Sequence, residues 1–171
     1  MDDRLTDPPE VQWAGKYIRI VKRGSWEYVE RCSGMSAVVI LAEIEGKVIL
    51  IEQSRVPLDG RTCLELPAGL VGDEDDKGVE ETAVKELEEE TGHTAARIER
   101  LGFFYSSPGM LAEGFDLVRA HDVAPCGTPV EFGIETHLVE RDKVAEFVEQ
   151  RRAAGVAIDV KLLLLLASSI L

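Results

Sequence analysis

The residues best suited to chemistry are three glutamates near the middle of the chain, Glu86, Glu89 and Glu90. They fall within a predicted helix over 78–91. At about 100° per residue they share an arc of about 100°, and two of them border the apolar face. Carboxylates three and four residues apart repel one another, and a hard divalent cation such as Mg²⁺ or Mn²⁺ removes that conflict. The pattern favours a metal site, with a solvated acidic helix face as the alternative.

Negative charge is concentrated around this helix. Residues 73–90 hold ten acids and two bases, a net −8 out of −13 for the whole chain. A surface that binds nucleic acid needs an excess of bases, so we expect no nucleic-acid partner. A densely anionic small molecule could approach the segment only with cations in between.

Composition places the chain among ordinary globular proteins. It has 171 residues, of which 45% are hydrophobic and 30% charged, and this length suits one domain with a small appendage. Its three cysteines are scattered without metal-site spacing, which suits a reducing compartment. The N-terminus has no apolar segment typical of a signal peptide, and the longest apolar run, 162–167, is too short to span a bilayer. We therefore expect a cytoplasmic protein with no membrane partner.

The remaining elements predict a mixed α/β (α+β) domain. Residues 1–12 are expected to be a loose lead-in to a hairpin of strands 17–22 and 25–31. Asp142 and Asp159 are placed to cap two later helices, the second running to the C-terminus. Five further strands are predicted at 35–45, 48–54, 63–66, 97–105 and 115–120, with another near 135–139.

The segment from Gly69 to Gly92 resembles the Nudix box, G-x5-E-x7-R-E-U-x-E-E-x-G-U, where U is aliphatic. Here the second half reads KELEEETG. The preceding LELPAG is similar to the E-L-P-A-G sequence of the ADP-ribose pyrophosphatase branch, and Pro108 lies where that branch has a proline. The resemblance extends from about Trp13 to the C-terminal helix.

The chain departs from the box pattern at four points. Lys85 replaces the arginine, and an ammonium lacks the fork that holds two carboxylates at once. His93 replaces the terminal aliphatic residue, and Lys77 stands where the mid-box glutamate is counted. The loop after Gly69 is two residues longer than the pattern, so Glu74, Asp75 or Asp76 can stand in for that glutamate.

The resemblance implies a Nudix-like fold, a mixed β-sheet sandwiched between helices with an N-terminal β-hairpin extension. It also implies hydrolysis of a nucleoside diphosphate linked to another group, using Mg²⁺ or Mn²⁺ and water. By family position, Glu86 and Glu90 are primary metal ligands, Glu89 is an additional ligand, and the Ala68 carbonyl is a main-chain ligand.

The resemblance also assigns residues outside the box. Arg55 matches a phosphate-contacting arginine, with a plain surface arginine as the alternative. Pro108 and Gly109 are assigned to substrate binding. Glu113, five residues past Pro108, matches the candidate general base or water-orienting glutamate.

The N-terminal hairpin carries the remaining assignments. Residues 1–33 are expected to form a dimerising hairpin region and 34–171 the Nudix domain. In this branch such a hairpin pairs with a second subunit and contacts adenosine, which assigns Trp26, Glu27 and Tyr28 to substrate binding; aromatic packing in a core is the alternative for them. An isolated hairpin also exposes its edges unless it is paired, so a homodimer is predicted.

Three functions remain open from the sequence. The first is cleavage of ADP-ribose to AMP and ribose 5-phosphate. The second is a Nudix hydrolase for another nucleotide sugar or a dinucleotide. The third is a Nudix-fold module that senses a nucleotide without cleaving it, against which the retained Glu86, Glu89 and Glu90 argue.

Overall fold

The structure is a computed structural model that describes residues 6–32, 35–72 and 78–163. These residues form three β-sheets and two α-helices, and the predicted α+β class is confirmed. The strands are β1 Glu10–Ala14, β2 Ile18–Arg23, β3 Trp26–Arg31, β4 Ser36–Leu41, β5 Glu43–Ile44, β6 Lys47–Arg55, β7 Arg61–Glu65, β8 Ala68–Val71, β9 His93–Tyr105, β10 Gly114–Pro125, β11 Ile134–Glu140 and β12 Ala157–Ile158. The helices are α1 Val79–Thr91 and α2 Val144–Ala153.

The N-terminal sheet has three antiparallel strands in the order β1-β2-β3. The prediction that residues 1–12 are a loose lead-in is wrong from Glu10 onward, because β1 pairs with β2. At the edge opposite β1, the sheet is joined to the rest of the chain through β3. The Val29 N–H donates to the Met110 carbonyl at 2.9 Å, and the Ala112 N–H donates to the Val29 carbonyl at 2.8 Å. The sheet is therefore held by the loop that precedes β10.

Two further sheets form the body of the fold. One has the order β8-β4-β10-β9, with β4 and β10 parallel, and the other has the order β11-β6-β7-β12, with β5 added to β6. Successive side chains of a strand point to opposite faces. Accordingly, Val38 and Ile40 of β4 join one apolar cluster with Ala83 and Leu87 of α1.

The other face of β4 contributes to a second cluster. Val39 and Leu41 pack there with Val144 and Val148 of α2. The sheets therefore lie between the two helices, as the resemblance implied. A short 3₁₀ turn, Val160–Leu162, adds Leu162 to the same cluster.

Helix α1 follows the predicted wheel. Ala83, Leu87 and Thr91 are buried, and Glu90 at the border of this face is buried as well. The helix ends at Gly92, which adopts a left-handed conformation with φ 71° and donates its N–H to the Glu88 carbonyl.

Other elements differ from the sequence prediction. The single strand predicted over 35–45 is interrupted after Leu41, and the short strands β8 and β12 were not predicted. Asp159 does cap a turn, accepting from the Lys161 N–H at 2.8 Å, but this turn is 3₁₀. The helix predicted beyond it lies mostly outside the described residues. None of the described helices has the length and apolar character needed to cross a membrane.

Candidate metal and substrate site

Glu86, Glu89 and Glu90 of α1 line a cavity of about 520 Å³, which we call the metal cavity. Strand β8 and the loop after β10 supply most of the remaining wall. Its lining residues are Gln53, Arg55, Ala68, Gly69, Leu70, Gly72, Thr82, Lys85, Glu86, Glu89, Glu90, Val130 and Glu131. The helix thus presents its carboxylates to a concave space, which counts against the alternative of a plain solvated face.

Glu90 is the buried member of the set, with only 3% of its surface exposed. Its Oε2 accepts the Ala68 N–H at 3.0 Å. Burial raises the pKa of Glu90 to about 8, and the neighbouring carboxylates of Glu86 and Glu131 add to the rise. The Ala68 N–H and the Arg55 cation act in the opposite direction. A cation in the cavity would stabilise the ionised carboxylate that burial disfavours.

Glu86 lies directly against the backbone of Gly69. A Cβ at position 69 would come within 2.1 Å of Glu86 Cδ and 2.2 Å of Oε1. Because real Cβ contacts are never this short, only glycine allows the carboxyl group to occupy this place. The box glycine therefore leaves the space that a predicted metal ligand occupies.

Lys85, which replaces the box arginine, keeps an ion pair with Glu89. Its Nζ lies 3.4 Å from Glu89 Oε2, one helical turn along α1. Both side chains are about one-third exposed. The pair holds the Glu89 side chain at the edge of the metal cavity, where both residues contribute to the wall.

Glu131 is a cavity residue that the sequence analysis missed. It lies in the loop between β10 and β11, whose backbone caps the end of α1. The N–H groups of Val130 and Glu131 donate to the Glu89 carbonyl at 2.9 and 3.1 Å. These bonds bring a fourth carboxylate to the metal cavity. No periodicity marks such a loop residue in the sequence.

Arg55 lines the metal cavity and is fixed by a buried carboxylate. It donates from Nε and Nη2 to the two oxygens of Glu65, at 2.7 and 2.5 Å. These bonds hold the pKa of the Arg55 guanidinium above its ordinary value. Glu65 is the glutamate of the LELPAG sequence and is 4% exposed. Its contact with Arg55 was not anticipated.

A second cavity, also of about 520 Å³, adjoins the first and shares Arg55, Ala68, Gly69 and Leu70 with it. We call it the adjoining cavity. Three ion pairs contribute to its wall: Arg55–Glu65, Arg31–Glu113 and Lys161–Asp159. Phe115 and Leu58 add apolar surface.

Glu113 lies in this adjoining cavity. Its Oε1 accepts from Arg31 Nε at 2.5 Å. The contact joins β3 of the N-terminal sheet to the loop before β10. The structure therefore places Glu113 next to the metal cavity rather than among its lining residues.

The other predicted substrate-binding residues lie outside both walls. Trp26 and Glu27 are exposed on β3, and Tyr28 is half-buried there. Pro108 and Gly109 are exposed in the loop that follows β9. The predicted contacts of Trp26, Glu27 and Tyr28 involve a second subunit, so their role in substrate binding stays a prediction.

The donor set of the metal cavity fits a hard divalent cation. The carboxylates of the described residues Glu86, Glu89, Glu90 and Glu131 offer the oxygen ligands that Mg²⁺ and Mn²⁺ prefer. The predicted main-chain ligand, Ala68, also lines the cavity, and its N–H is bonded to Glu90. The candidates for the missing mid-box glutamate, within 73–77, lie outside the described residues.

Fold and cavity together define an α+β domain that presents clustered carboxylates beside a glycine-rich strand. A family model of the NUDIX domain matches residues 33–149, and the chain belongs to this family. The predicted resemblance is thereby confirmed.

Three similar proteins extend this finding. The ADP-ribose pyrophosphatase of Bacillus subtilis (strain 168) is 47% identical over 89 residues, which cover 52% of this chain and 46% of the relative. The methanol dehydrogenase activator of Bacillus methanolicus is 30% identical over 128 residues, covering 72% and 67%. A crystal structure of an ADP compounds hydrolase matches with a TM-score of 0.72 over 95% of this chain and 91% of the other, at 19% identity. The chain thus aligns with about half the length of the Bacillus subtilis enzyme, and the structural match shows the shared fold.

Proposed function

We propose that this protein hydrolyses a nucleoside diphosphate linked to another group, with Mg²⁺ or Mn²⁺ as cofactor. The substrate we favour is ADP-ribose, cleaved to AMP and ribose 5-phosphate. The observation that carries the proposal is the buried carboxylate of Glu90, which shares a cavity with Glu86, Glu89 and Glu131. Similarity to the Bacillus subtilis ADP-ribose pyrophosphatase supports the choice of substrate.

In this proposal the protein's own residues hold the metal and orient the pyrophosphate. A bound Mg²⁺ or Mn²⁺ supplies neutralising charge for the phosphates and lowers the pKa of a coordinated water. Glu86, Glu89, Glu90 and the Ala68 carbonyl would hold the metal. Arg55, oriented by Glu65, would contact a phosphate at the junction of the two cavities, since it lines both.

Two glutamates compete for the role of water-orienting base. Glu113 is the residue that the resemblance assigns, and its bond to Arg31 fixes it in the adjoining cavity. Glu131 lines the metal cavity itself, on a loop held by the Glu89 carbonyl. Position favours Glu131 for the water and Glu113 for the leaving half of the substrate.

The adjoining cavity supports a substrate with a polar second half. Its paired acids and bases offer both acceptors and donors, which suits a sugar bearing several hydroxyl groups. Another nucleotide sugar or a dinucleotide would place similar groups there, and this is the second candidate. A non-catalytic sensor is disfavoured because all three predicted ligands of α1 line the metal cavity.

We further propose that residues 1–33 form a dimerising unit. On one face, the N-terminal sheet exposes the large apolar side chains of Trp13, Ile18 and Ile20, at 39–53%. An apolar face of this kind is covered when two copies pair. Pairing would also place Trp26, Glu27 and Tyr28 near a neighbouring subunit, where adenosine contact becomes possible.

The proposed activity is tested by incubating the protein with ADP-ribose, other ADP-sugars and dinucleotides in the presence of Mg²⁺ or Mn²⁺. Release of AMP is measured for the wild type, for Glu90→Gln and for the control Glu88→Gln, which changes an exposed glutamate of the same helix. We expect Glu90→Gln to lower kcat strongly and to need far more metal for half-maximal rate. Full activity with an unchanged metal requirement in Glu90→Gln would refute the metal assignment.

The two candidate bases are separated by their own variants. General-base assistance is worth about 10²- to 10⁴-fold, so loss of the base lowers kcat by that order. If Glu131 is the base, Glu131→Gln should lower kcat by that order while Glu113→Gln mainly raises KM. If Glu113 is the base, Glu113→Gln should lower kcat with the metal requirement unchanged. If Glu113→Gln alters only KM, then Glu113 binds substrate and takes no part in activating water.

A further inference from the structure

A second group of metal-ligating side chains lies on the other side of the β6–β11 pair. Glu52 of β6 and Glu135 of β11 are direct cross-strand partners, and His137 follows two residues later on β11. Two carboxylates directly opposite each other on a sheet repel unless a cation lies near them. The placement therefore calls for positive charge.

The distances within this group match metal ligation better than hydrogen bonding. His137 Nε2 lies 3.5 Å from Glu52 Oε1 and 3.9 Å from Glu135 Oε1. Hydrogen bonds to nitrogen are about 2.7–3.2 Å long. Ligands at about 2.1 Å from a tetrahedral zinc ion are separated by about 3.4 Å. All three ligand atoms lie within 4.8 Å of one another.

His137 Nε2 is buried and has no hydrogen-bond partner within the described parts of the chain. A buried polar atom without a partner is costly, so native structures rarely leave one. The ring is held in place by Phe147 of α2, with the ring centroids 5.2 Å apart. An orphaned ring nitrogen therefore faces two carboxylates.

Arg151 of α2 supplies part of the required charge. It donates from Nε and Nη2 to the two oxygens of Glu52, at 2.5 and 2.6 Å. Each carboxylate oxygen can accept more than one bond, so Glu52 Oε1 keeps a lone pair for a ligand on the side of His137. Because Arg151 neutralises Glu52, the group retains one negative charge, that of Glu135. The Glu135 side chain is 72% exposed.

We infer that Glu52, Glu135 and His137 form a binding site for a transition-metal ion of the zinc type, separate from the metal cavity. An imidazole nitrogen with two carboxylates suits Zn²⁺, whereas Mg²⁺ prefers oxygen alone. Arg151 would serve as the outer partner that orients the Glu52 carboxylate. The neighbouring Gln53 and Thr136 point to the opposite face, where Gln53 lines the metal cavity.

Such an ion would fasten α2 to the sheet. It would join β6 to β11 directly, and α2 through Arg151 and Phe147. Metal bound only by the folded chain raises stability in proportion to the logarithm of its concentration. The expected role is therefore structural, on the face opposite the proposed chemistry.

The test uses Zn²⁺ and a background that removes two carboxylates from the metal cavity, Glu86→Gln with Glu90→Gln. Zinc uptake is measured by competition with a chromophoric chelator. We expect about one Zn²⁺ per chain, not displaced by excess Mg²⁺, with a rise in Tm. Adding Glu135→Gln should weaken binding by more than the roughly 10- to 100-fold that loss of an outer partner costs.

The matched control is Glu140→Gln, which changes another exposed glutamate of β11 and should leave Zn²⁺ affinity unchanged. Nitrogen-15 spectra of the His137 ring give a second readout, because Zn²⁺ should shift Nε2 in the background and not in its Glu135→Gln derivative. Absence of Zn²⁺ uptake in the background, or equal uptake with and without Glu135→Gln, would overturn the inference. Neither measurement depends on hydrolase activity.

Discussion

Replacing Glu90 by glutamine should abolish a specific pH dependence of stability in the metal-free protein. Burial raises the pKa of Glu90 from 4.5 to about 8. Between these values the unfolded chain has released the proton while the folded chain still holds it. The folded form therefore binds more protons, and its free energy of unfolding falls as pH rises through this window.

The magnitude follows from the two pKa values. Each pKa unit corresponds to about 1.4 kcal/mol, so ionised Glu90 costs the folded, metal-free chain up to about 5 kcal/mol. Most of this loss, about 3.5 kcal/mol, falls between pH 5 and pH 8. Glutamine keeps an oxygen that can accept the Ala68 N–H and cannot ionise, so the variant should lack this contribution.

The assay is urea unfolding in EDTA at pH 5 and pH 8. With a slope of about 2 kcal/mol per molar, the wild-type midpoint should fall by roughly 1.5–2 M more than that of Glu90→Gln. Glu88→Gln, on the exposed side of α1, should behave as the wild type. Adding Mg²⁺ at pH 8 should raise the urea midpoint of the wild type more than that of Glu90→Gln. If the urea midpoints of the wild type and Glu90→Gln changed equally with pH, the assignment of a raised pKa to a buried Glu90 carboxyl group would be refuted.

Two further substitutions test the surroundings of the site, and one mass measurement tests the N-terminal interface. Lys85→Arg should not reduce kcat, since a guanidinium can hold both oxygens of the Glu89 carboxylate, whereas the Lys85 ammonium contacts Glu89 Oε2 at 3.4 Å. Steady-state kinetics would show this, and a large loss of kcat would contradict it. Gly69→Ala should lower metal affinity at least tenfold, because the new Cβ would displace the Glu86 carboxyl group. Titration of activity with metal measures this affinity, and an unchanged value would contradict the prediction. Light scattering at micromolar concentration should give the mass of a dimer, and a monomer would remove the case for the N-terminal interface.

The sequence was most informative where the signal was local. The apolar spacing of α1 and the end at Gly92 both follow from near neighbours in the chain. The same periodicity placed Glu86 and Glu90 beside the buried face, where the structure has them. Helical geometry repeats every few residues, so these relationships need no knowledge of the tertiary fold.

The sequence was least informative where distant segments meet. Glu131 reaches the metal cavity because its loop donates to the carbonyl of Glu89, which lies 42 residues earlier in the chain. The tie between Glu113 and Arg31 likewise joins residues 82 positions apart. Strand β1 was missed for the same reason, since all five of its residues are exposed and its pairing with β2 defines it.

In the proposed function, the charge of the metal cavity would link metal binding to substrate binding. Among the described residues, its walls hold four carboxylates, from Glu86, Glu89, Glu90 and Glu131, against two cations. Both cations already face carboxylates, Lys85 toward Glu89 and Arg55 toward Glu65. A pyrophosphate entering this space without a divalent ion would therefore add negative charge to a negative surface. In the proposed function, the carboxylates that would repel the substrate would also attract the divalent ion, so metal occupancy would be the condition for productive binding.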